Sequence, residues 1–72
     1  MIPQSQIDNN FRHHPPTHEQ TVKYNILREM AKRFANEINC HCPDSREKSL
    51  AMTNLETALF WSNASVARNN TD

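Results

Sequence analysis

Not one of the chain's 72 residues is glycine, and this absence limits both its fold and its chemistry. Phosphate-binding loops of the P-loop and dinucleotide-binding types use glycine where the backbone takes a positive φ or approaches a phosphate closely. Tight β-hairpin turns favour glycine for the same reason. The sequence therefore argues against ATPases, GTPases, Rossmann enzymes and a meander of short strands, and it favours a helical protein with few connections.

A chain this short forms one domain at most, and only ~60% of the unfolded surface is buried when such a domain folds. We therefore expect a marginal core that gains from partner subunits. Eight Lys plus Arg balance eight Asp plus Glu, which argues against binding long nucleic acid and leaves small anionic ligands open. With no apolar stretch near ~18 residues and no secretory signal, the sequence predicts a soluble cytoplasmic protein without membrane contact.

The N-terminal part of the chain combines a polar arm with a helix start. Residues 1–10 are polar and lack periodicity, so we expect an extended or flexible arm there. Pro15 and Pro16 keep the following stretch extended. Thr17, followed by Gln20, fits a capping box and marks the first residues of a helix.

Two long helices follow. The first, over residues 18–41, carries a broad apolar stripe at spacings of three and four, and Pro43 ends it. The second, over residues 45–68, begins at Asp44 or Ser45, both of which are good cap residues. The stripe of the first helix consists of Val22, Ile26, Leu27, Met30, Ala31, Phe34, Ala35 and Ile38.

Residues 11–69 thus form an all-α domain, an αα-hairpin of two antiparallel helices with an extended N-terminal arm, and residues 70–72 are a tail. Two helices cannot enclose a core. Apolar side chains are therefore expected in water, and small residues along the second helix suit close packing between subunits. We predict a homo-oligomeric helical bundle. The side chains expected in water include Tyr24, Met52, Leu59, Phe60 and Trp61.

Catalytic and metal sites have little support in the sequence. The acidic residues are scattered, and no nucleophile stands with a base, so we predict no enzyme, no metal and no cofactor. Cys40 and Cys42 with two histidines could form a zinc site, but Cys-x-Cys is tighter than the usual ligand spacing, and reduced thiols are the plainer interpretation. The histidines are His13, His14, His18 and His41.

Anion binding is better supported. Arg46 and Lys48 lie in the first turn of the second helix, where free backbone N–H groups and the helix dipole also attract anions. The alternative is a solvated turn in which these cations pair with Asp44 and Glu47. A second group can stack on a base and donate to phosphate, and it consists of Phe11, Arg12, His13 and His14.

That second group also has an alternative, in which Phe11 packs on the first helix as a hydrophobic staple. Arg28 and Arg68 complete the cationic candidates. Arg68 could instead satisfy the last carbonyls of its helix. These groups lie far apart in one hairpin, but neighbouring subunits of an oligomer could bring them together.

Four motifs stand out along the chain: HPPT at 14–17, CPDSREKSLA at 42–51, TxLExA at 53–58 and WxNAxxARN at 61–69. In combination they resemble a known phage hairpin family, which comprises the anti-CBASS cyclic-nucleotide sponges and the hairpin domain of the Thoeris anti-defence proteins. The resemblance covers residues 11–69.

The resemblance implies a hexamer that binds cyclic dinucleotides between subunits, and cyclic trinucleotides in separate pockets, without cleaving them. Its place of action would be the cytoplasm of the infected bacterium. The residues that resemble the dinucleotide-binding set are Phe11, Arg12, His13, His14 and Arg28, with Thr17 in the neighbouring motif. Those that resemble further polar contacts are Ser45, Arg46, Lys48, Asn63, Arg68 and Asn69.

A different function remains open from the residues alone. The hairpin could be a small interaction module that docks a host or phage protein through the side that carries Trp61. A strict monomer would argue against both the sponge and the packing argument.

Overall fold

The computed structural model describes residues 1–69 and contains three helices: α1 (Gln4–Asn10), α2 (His18–His41) and α3 (Arg46–Arg68). The prediction of an all-α helical hairpin is confirmed. The ends of α2 and α3 fall within one residue of those expected from the sequence. The predicted tail, residues 70–72, lies outside the described residues.

Helices α2 and α3 run antiparallel as a single layer. At one end of the hairpin the Gln20 side chain donates to the Val66 carbonyl (3.1 Å), and at the other the Lys48 ammonium donates to the Asn39 carbonyl (3.1 Å). Among the described residues α2 and α3 are the two helices that pack extensively against each other, so the outer faces of the hairpin have no covering element.

Helix α2 begins with the capping box that the sequence predicts. The Thr17 hydroxyl accepts from the Gln20 backbone N–H (3.1 Å), and the Gln20 side chain accepts from the Thr17 backbone N–H (3.0 Å). Each satisfies a donor that the helix leaves without an internal partner. At the other end Cys42 is extended (φ −97°, ψ 128°) before Pro43, and the helix stops at His41.

Of the two residues proposed to begin the second helix, Ser45 caps α3. Its hydroxyl accepts from the Lys48 backbone N–H (3.1 Å). The Asp44 carboxylate instead accepts from the Lys48 ammonium (2.9 Å), which lowers the pKa of Asp44 from its ordinary 3.8 through this hydrogen bond and the charge behind it. Because the Lys48 ammonium also reaches Asn39, its side chain bridges the turn and is only 14% exposed.

The apolar stripe of α2 is divided between the hairpin contact and solvent. Among the described residues only Ile38 is fully buried, at 7% exposure. One flank of the stripe faces α3 and is half-buried, including Leu27, Ala31 and Ala35. The other flank forms what we call the apolar row, and its exposed fractions are 44% for Val22, 57% for Ile26, 60% for Met30 and 59% for Phe34.

The prediction that five further apolar side chains lie in water is right for two of them and wrong for three. Phe60 and Trp61 are exposed as expected, at 66% and 64%. Tyr24, Met52 and Leu59 are half-buried instead, since they lie beside the hairpin contact. A single partner helix covers only part of a broad stripe, and the uncovered part is the apolar row.

The prediction of an extended arm over residues 1–10 is wrong, because Gln4–Asn10 form the helix α1. Pro3 precedes the helix, where a residue without an N–H is tolerated, and its carbonyl accepts from the backbone N–H of Ile7 (3.2 Å). No apolar periodicity marks so short a helix. A polar contact anchors it instead, from the Asn9 amide to the Arg68 carbonyl (3.0 Å).

Candidate functional site

An open groove lies at the end of the hairpin opposite the α2–α3 turn, and we call it the His14 groove. Its volume is about 410 Å³. Side chains four residues apart on each helix project to the same side, which brings the α2 and α3 members into two short ladders. The lining residues are Asn10, His14, Tyr24, Arg28, Asn63, Ala64, Ala67 and Arg68.

The His14 groove combines cationic donors with planar rings. Arg28 and Arg68 contribute guanidinium groups from opposite helices, and Tyr24 and His14 contribute rings. The Arg28 guanidinium donates one hydrogen bond to the Asn25 side chain (3.0 Å), which leaves most of its five N–H groups for another acceptor. Ala64 and Ala67 lie between Asn63 and Arg68 on α3, and their small side chains add little bulk to the groove.

Asn9, the neighbour of the groove residue Asn10, contacts three of the predicted site residues. Its side-chain N–H donates to the Arg68 carbonyl (3.0 Å), and its side-chain oxygen accepts from the Arg12 guanidinium (3.1 Å). The Nε2 atom of His14 lies 2.7 Å from the Asn9 backbone oxygen. A carbonyl can only accept, so Nε2 of His14 carries the proton in this contact.

The carboxamide oxygen of Asn63 is buried and has no hydrogen-bond partner within residues 1–69. Buried acceptors of this kind are uncommon, and leaving one unpaired costs about 1–3 kcal/mol. Asn63 also lines the His14 groove. Because this oxygen is buried within one chain, it is not among the groups that the groove offers to a ligand.

A second groove, between α1 and α3, shares Arg68 with the first and has a volume of about 330 Å³. Trp61 forms one wall of it. Side-chain amides form most of the remainder, from Gln6, Asn9, Asn10 and Asn69. The Asn69 side chain donates to the Ser65 carbonyl (3.0 Å), so the predicted site residue Asn69 also closes α3.

The structure brings four of the predicted site residues into the His14 groove, namely His14, Arg28, Asn63 and Arg68. Tyr24 was not predicted as a site residue, although its position four residues before Arg28 could have indicated it. Nor were the asparagines of α1, for which the sequence carries no signal, because α1 itself was not expected.

Other predicted residues lie outside the groove. The Thr17 hydroxyl accepts the hydrogen bond that caps α2. His13 is exposed. Phe11 is 86% exposed, and its backbone N–H donates to the Ile7 carbonyl (3.1 Å) at the end of α1. The alternative in which Phe11 packs on the first helix is therefore wrong.

Ser45, Arg46 and Lys48 lie at the far end of α3. About 26 Å of helix separates Arg46 from Asn63, at 1.5 Å per residue. The Ser45 hydroxyl caps α3, and the Lys48 ammonium donates to the Asp44 carboxylate. The second contact supports the alternative in which cations of the first turn pair with neighbouring acids. Arg46 is exposed. One chain therefore does not join this group to the His14 groove.

The described residues contain no group of three or more His, Cys, Asp or Glu side chains that could hold a metal. Cys40 and Cys42 are free thiols. None of the helices over residues 1–69 is long and apolar enough to cross a membrane.

Residues 3–67 match the family model described as Acb2/Tad1, hairpin domain. The match includes all of α1 and α2 and nearly all of α3. It confirms the resemblance that the sequence motifs indicate. No curated protein and no solved structure matches the chain.

Proposed function

The chain belongs to the Acb2/Tad1 hairpin-domain family, and we propose that it binds cyclic oligonucleotide immune messengers and withholds them from their receptors. The family implies anti-defence sequestration of cyclic nucleotides. For this chain, we propose that cyclic dinucleotides bind in the His14 groove and are released intact. Binding takes place in the cytoplasm of the infected bacterium.

The observation that carries this proposal is the chemistry of the His14 groove. Arg28 and Arg68 supply charge-assisted donors for phosphate, and the rings of Tyr24 and His14 supply surfaces for bases. A cyclic dinucleotide carries both kinds of group, two phosphates and two bases. The groove thus complements both chemical features of the proposed ligand.

One chain supplies only one wall of the site. The groove is open and its volume, about 410 Å³, lies toward the lower end of the range for ligand pockets, roughly 300–1,000 Å³. A sponge that silences a messenger by mass action needs roughly nanomolar Kd, about −12 kcal/mol, which one exposed wall does not provide. A second copy of the chain, related to the first by a two-fold axis, supplies the same cations and rings as a second wall of the site. We therefore assign one ligand to each pair of chains.

The apolar row supports assembly of several copies. Val22, Ile26, Met30 and Phe34 follow each other every four residues along α2 and remain about half exposed. They span about 18 Å of helix. Met30 and Phe34 also border an apolar groove between α2 and α3, of about 380 Å³. A second α2 laid along this face buries both rows, and we propose that such contacts build the hexamer that the family resemblance implies.

A second pocket for cyclic trinucleotides is proposed at the start of α3. Arg46 is exposed beside the N-terminal N–H groups of that helix, and both attract phosphate. Ser45 and Lys48 hold the turn that presents Arg46. Several copies are needed here too, because a single exposed arginine contributes little binding energy.

Calorimetric titration with a panel of cyclic di- and trinucleotides tests the proposal. Arg28→Ala and Arg68→Ala are each expected to weaken dinucleotide binding about 100-fold, because each removes charged hydrogen bonds worth ~1.5–3 kcal/mol. Lys32→Ala is the control, since Lys32 is an exposed cation of α2 that neither lines the His14 groove nor lies on the face of the apolar row.

Ligand released from the denatured complex is then chromatographed, and intact ligand is expected. No binding anywhere in the panel would contradict the sponge. Degraded ligand would make the protein an enzyme.

A protein-interaction module is the second candidate, favoured by the exposure of Phe60 and Trp61 at 66% and 64%. Trp61→Ala separates the two functions in part. Under the sponge proposal this substitution leaves dinucleotide binding within about twofold, because Trp61 does not line the His14 groove. A chain that binds no nucleotide and captures a protein only while Trp61 is present would favour the module.

A further inference from the structure

Three hydrogen bonds converge on Asn9, and they link α1 to residues of the proposed ligand site. Its side chain donates to the Arg68 carbonyl (3.0 Å) and accepts from the Arg12 guanidinium (3.1 Å), and its backbone oxygen accepts from Nε2 of His14 (2.7 Å). The first bond joins residues 59 positions apart in the sequence. Asn9 is therefore the point where the N-terminal helix, the segment before α2 and the end of α3 meet.

The amide of Asn9 fits these partners in one orientation. The Arg68 carbonyl can only accept and the Arg12 guanidinium can only donate, so the nitrogen faces α3 and the oxygen faces Arg12. Aspartate has the same shape but no N–H to donate. Glutamine is longer by one methylene. An asparagine is thus the side chain that makes both bonds at this position.

Little else in the described residues holds α1 to the hairpin. The Gln4 side chain donates to Asp8 within the same helix (2.8 Å), and Ile7 is 37% exposed. A groove of about 330 Å³ lies between α1 and α3. Because α1 is not packed tightly against the hairpin, its position depends on the Asn9 amide.

We propose that Asn9 is a positioning residue for the His14 groove: it ties α1 to the end of α3 and thereby fixes the tautomer and orientation of His14. Because the Asn9 carbonyl accepts from Nε2, Nδ1 is the ring nitrogen left to accept a hydrogen bond from a ligand. That chemistry suits the N–H of a nucleobase. This inference rests on the proposed function.

The test compares three variants by titration with a cyclic dinucleotide that the wild-type protein binds. Asn9→Ala removes both side-chain bonds and is expected to weaken binding about tenfold. Asn9→Asp keeps the acceptor for Arg12 but sets a carboxylate against the Arg68 carbonyl, so its loss is expected to be at least as large. Gln4→Ala removes the α1 amide bond that does not reach the groove, and its affinity is expected to stay within about twofold of wild type.

A spectroscopic readout separates positioning from a general loss of structure. In wild-type protein without ligand, ¹⁵N NMR of the His14 ring in alkaline buffer is expected to report the Nε2–H tautomer. In both Asn9 variants it is expected to report a mixture, while circular dichroism shows unchanged helix content. An unchanged His14 tautomer, or wild-type affinity in Asn9→Asp, would overturn the proposal. If wild-type protein binds no nucleotide, the proposed function fails and the tautomer experiment still tests the role of Asn9.

Discussion

Substituting Met30 by glutamate is expected to break the assembly without touching the ligand groove. Met30 lies in the middle of the apolar row at 60% exposure, and it does not line the His14 groove. Fully burying such a side chain contributes ~1.5–3 kcal/mol, so covering the exposed part of Met30 contributes about 1 kcal/mol. A two-fold interface includes Met30 twice, which makes the apolar loss about 2 kcal/mol.

The glutamate also costs free energy of its own. Burying a polar group without a partner costs ~1–3 kcal/mol by protein mutational data and more for a charge. Since this cost also counts twice, the combined loss is at least about 4 kcal/mol, which weakens association roughly a thousand-fold or more. Light scattering after size exclusion, over a dilution series, is expected to give the monomer mass for Met30→Glu at concentrations where wild type stays assembled.

Asn36→Glu is the matched control for this experiment. It adds the same charge to the same helix at an exposed position, about 200° around α2 from Phe34. Its mass is expected to equal that of wild type. Met30→Glu that assembles like wild type would refute the apolar row as the interface. A monomeric Met30→Glu that binds dinucleotide with unchanged affinity would refute a site shared between copies.

Three further predictions concern stability. Thr17→Ala removes the α2 cap and is expected to cost ~1 kcal/mol, seen as a Tm about 4–8 °C lower, whereas Thr17→Ser stays near wild type. Because Lys48 lowers the pKa of Asp44 below its ordinary 3.8, this pair stabilises the fold above that pH and its contribution disappears as pH falls through the lower folded-state pKa. Asp44→Asn is therefore expected to be less stable than wild type in urea at neutral pH and equal to it in strong acid; a difference that persists in acid would contradict this. A zinc chelator is expected to leave the Tm unchanged, and a fall in Tm would revive the Cys40–Cys42 zinc site.

The hairpin was predictable because its ends are encoded by neighbouring residues. The Thr17 capping box and the proline after Cys42 act within four residues of the helix ends, so the sequence contains all of their chemistry. The choice between Asp44 and Ser45 was open because both side chains can cap. Lys48 decides it by taking the Asp44 carboxylate, a contact that depends on the path of the turn.

Tertiary contacts explain what the sequence could not predict. Periodicity identifies the apolar stripe of α2, but which flank meets α3 depends on the rotation of two helices about each other. Helix α1 lacked a signal because one amide anchors it to a carbonyl 59 positions away. Arg28 and Arg68 could be identified as cationic residues from the sequence. The groove that brings them together with Tyr24 could not be predicted, because it forms only when α2 and α3 pack against each other.

Calorimetric titration of the assembled wild-type protein with a cyclic dinucleotide measures affinity and stoichiometry together. We expect roughly nanomolar Kd, one ligand for each pair of chains, and intact ligand on recovery. One ligand for each chain would contradict the shared site. The absence of binding to every cyclic dinucleotide tried would contradict the proposed function itself.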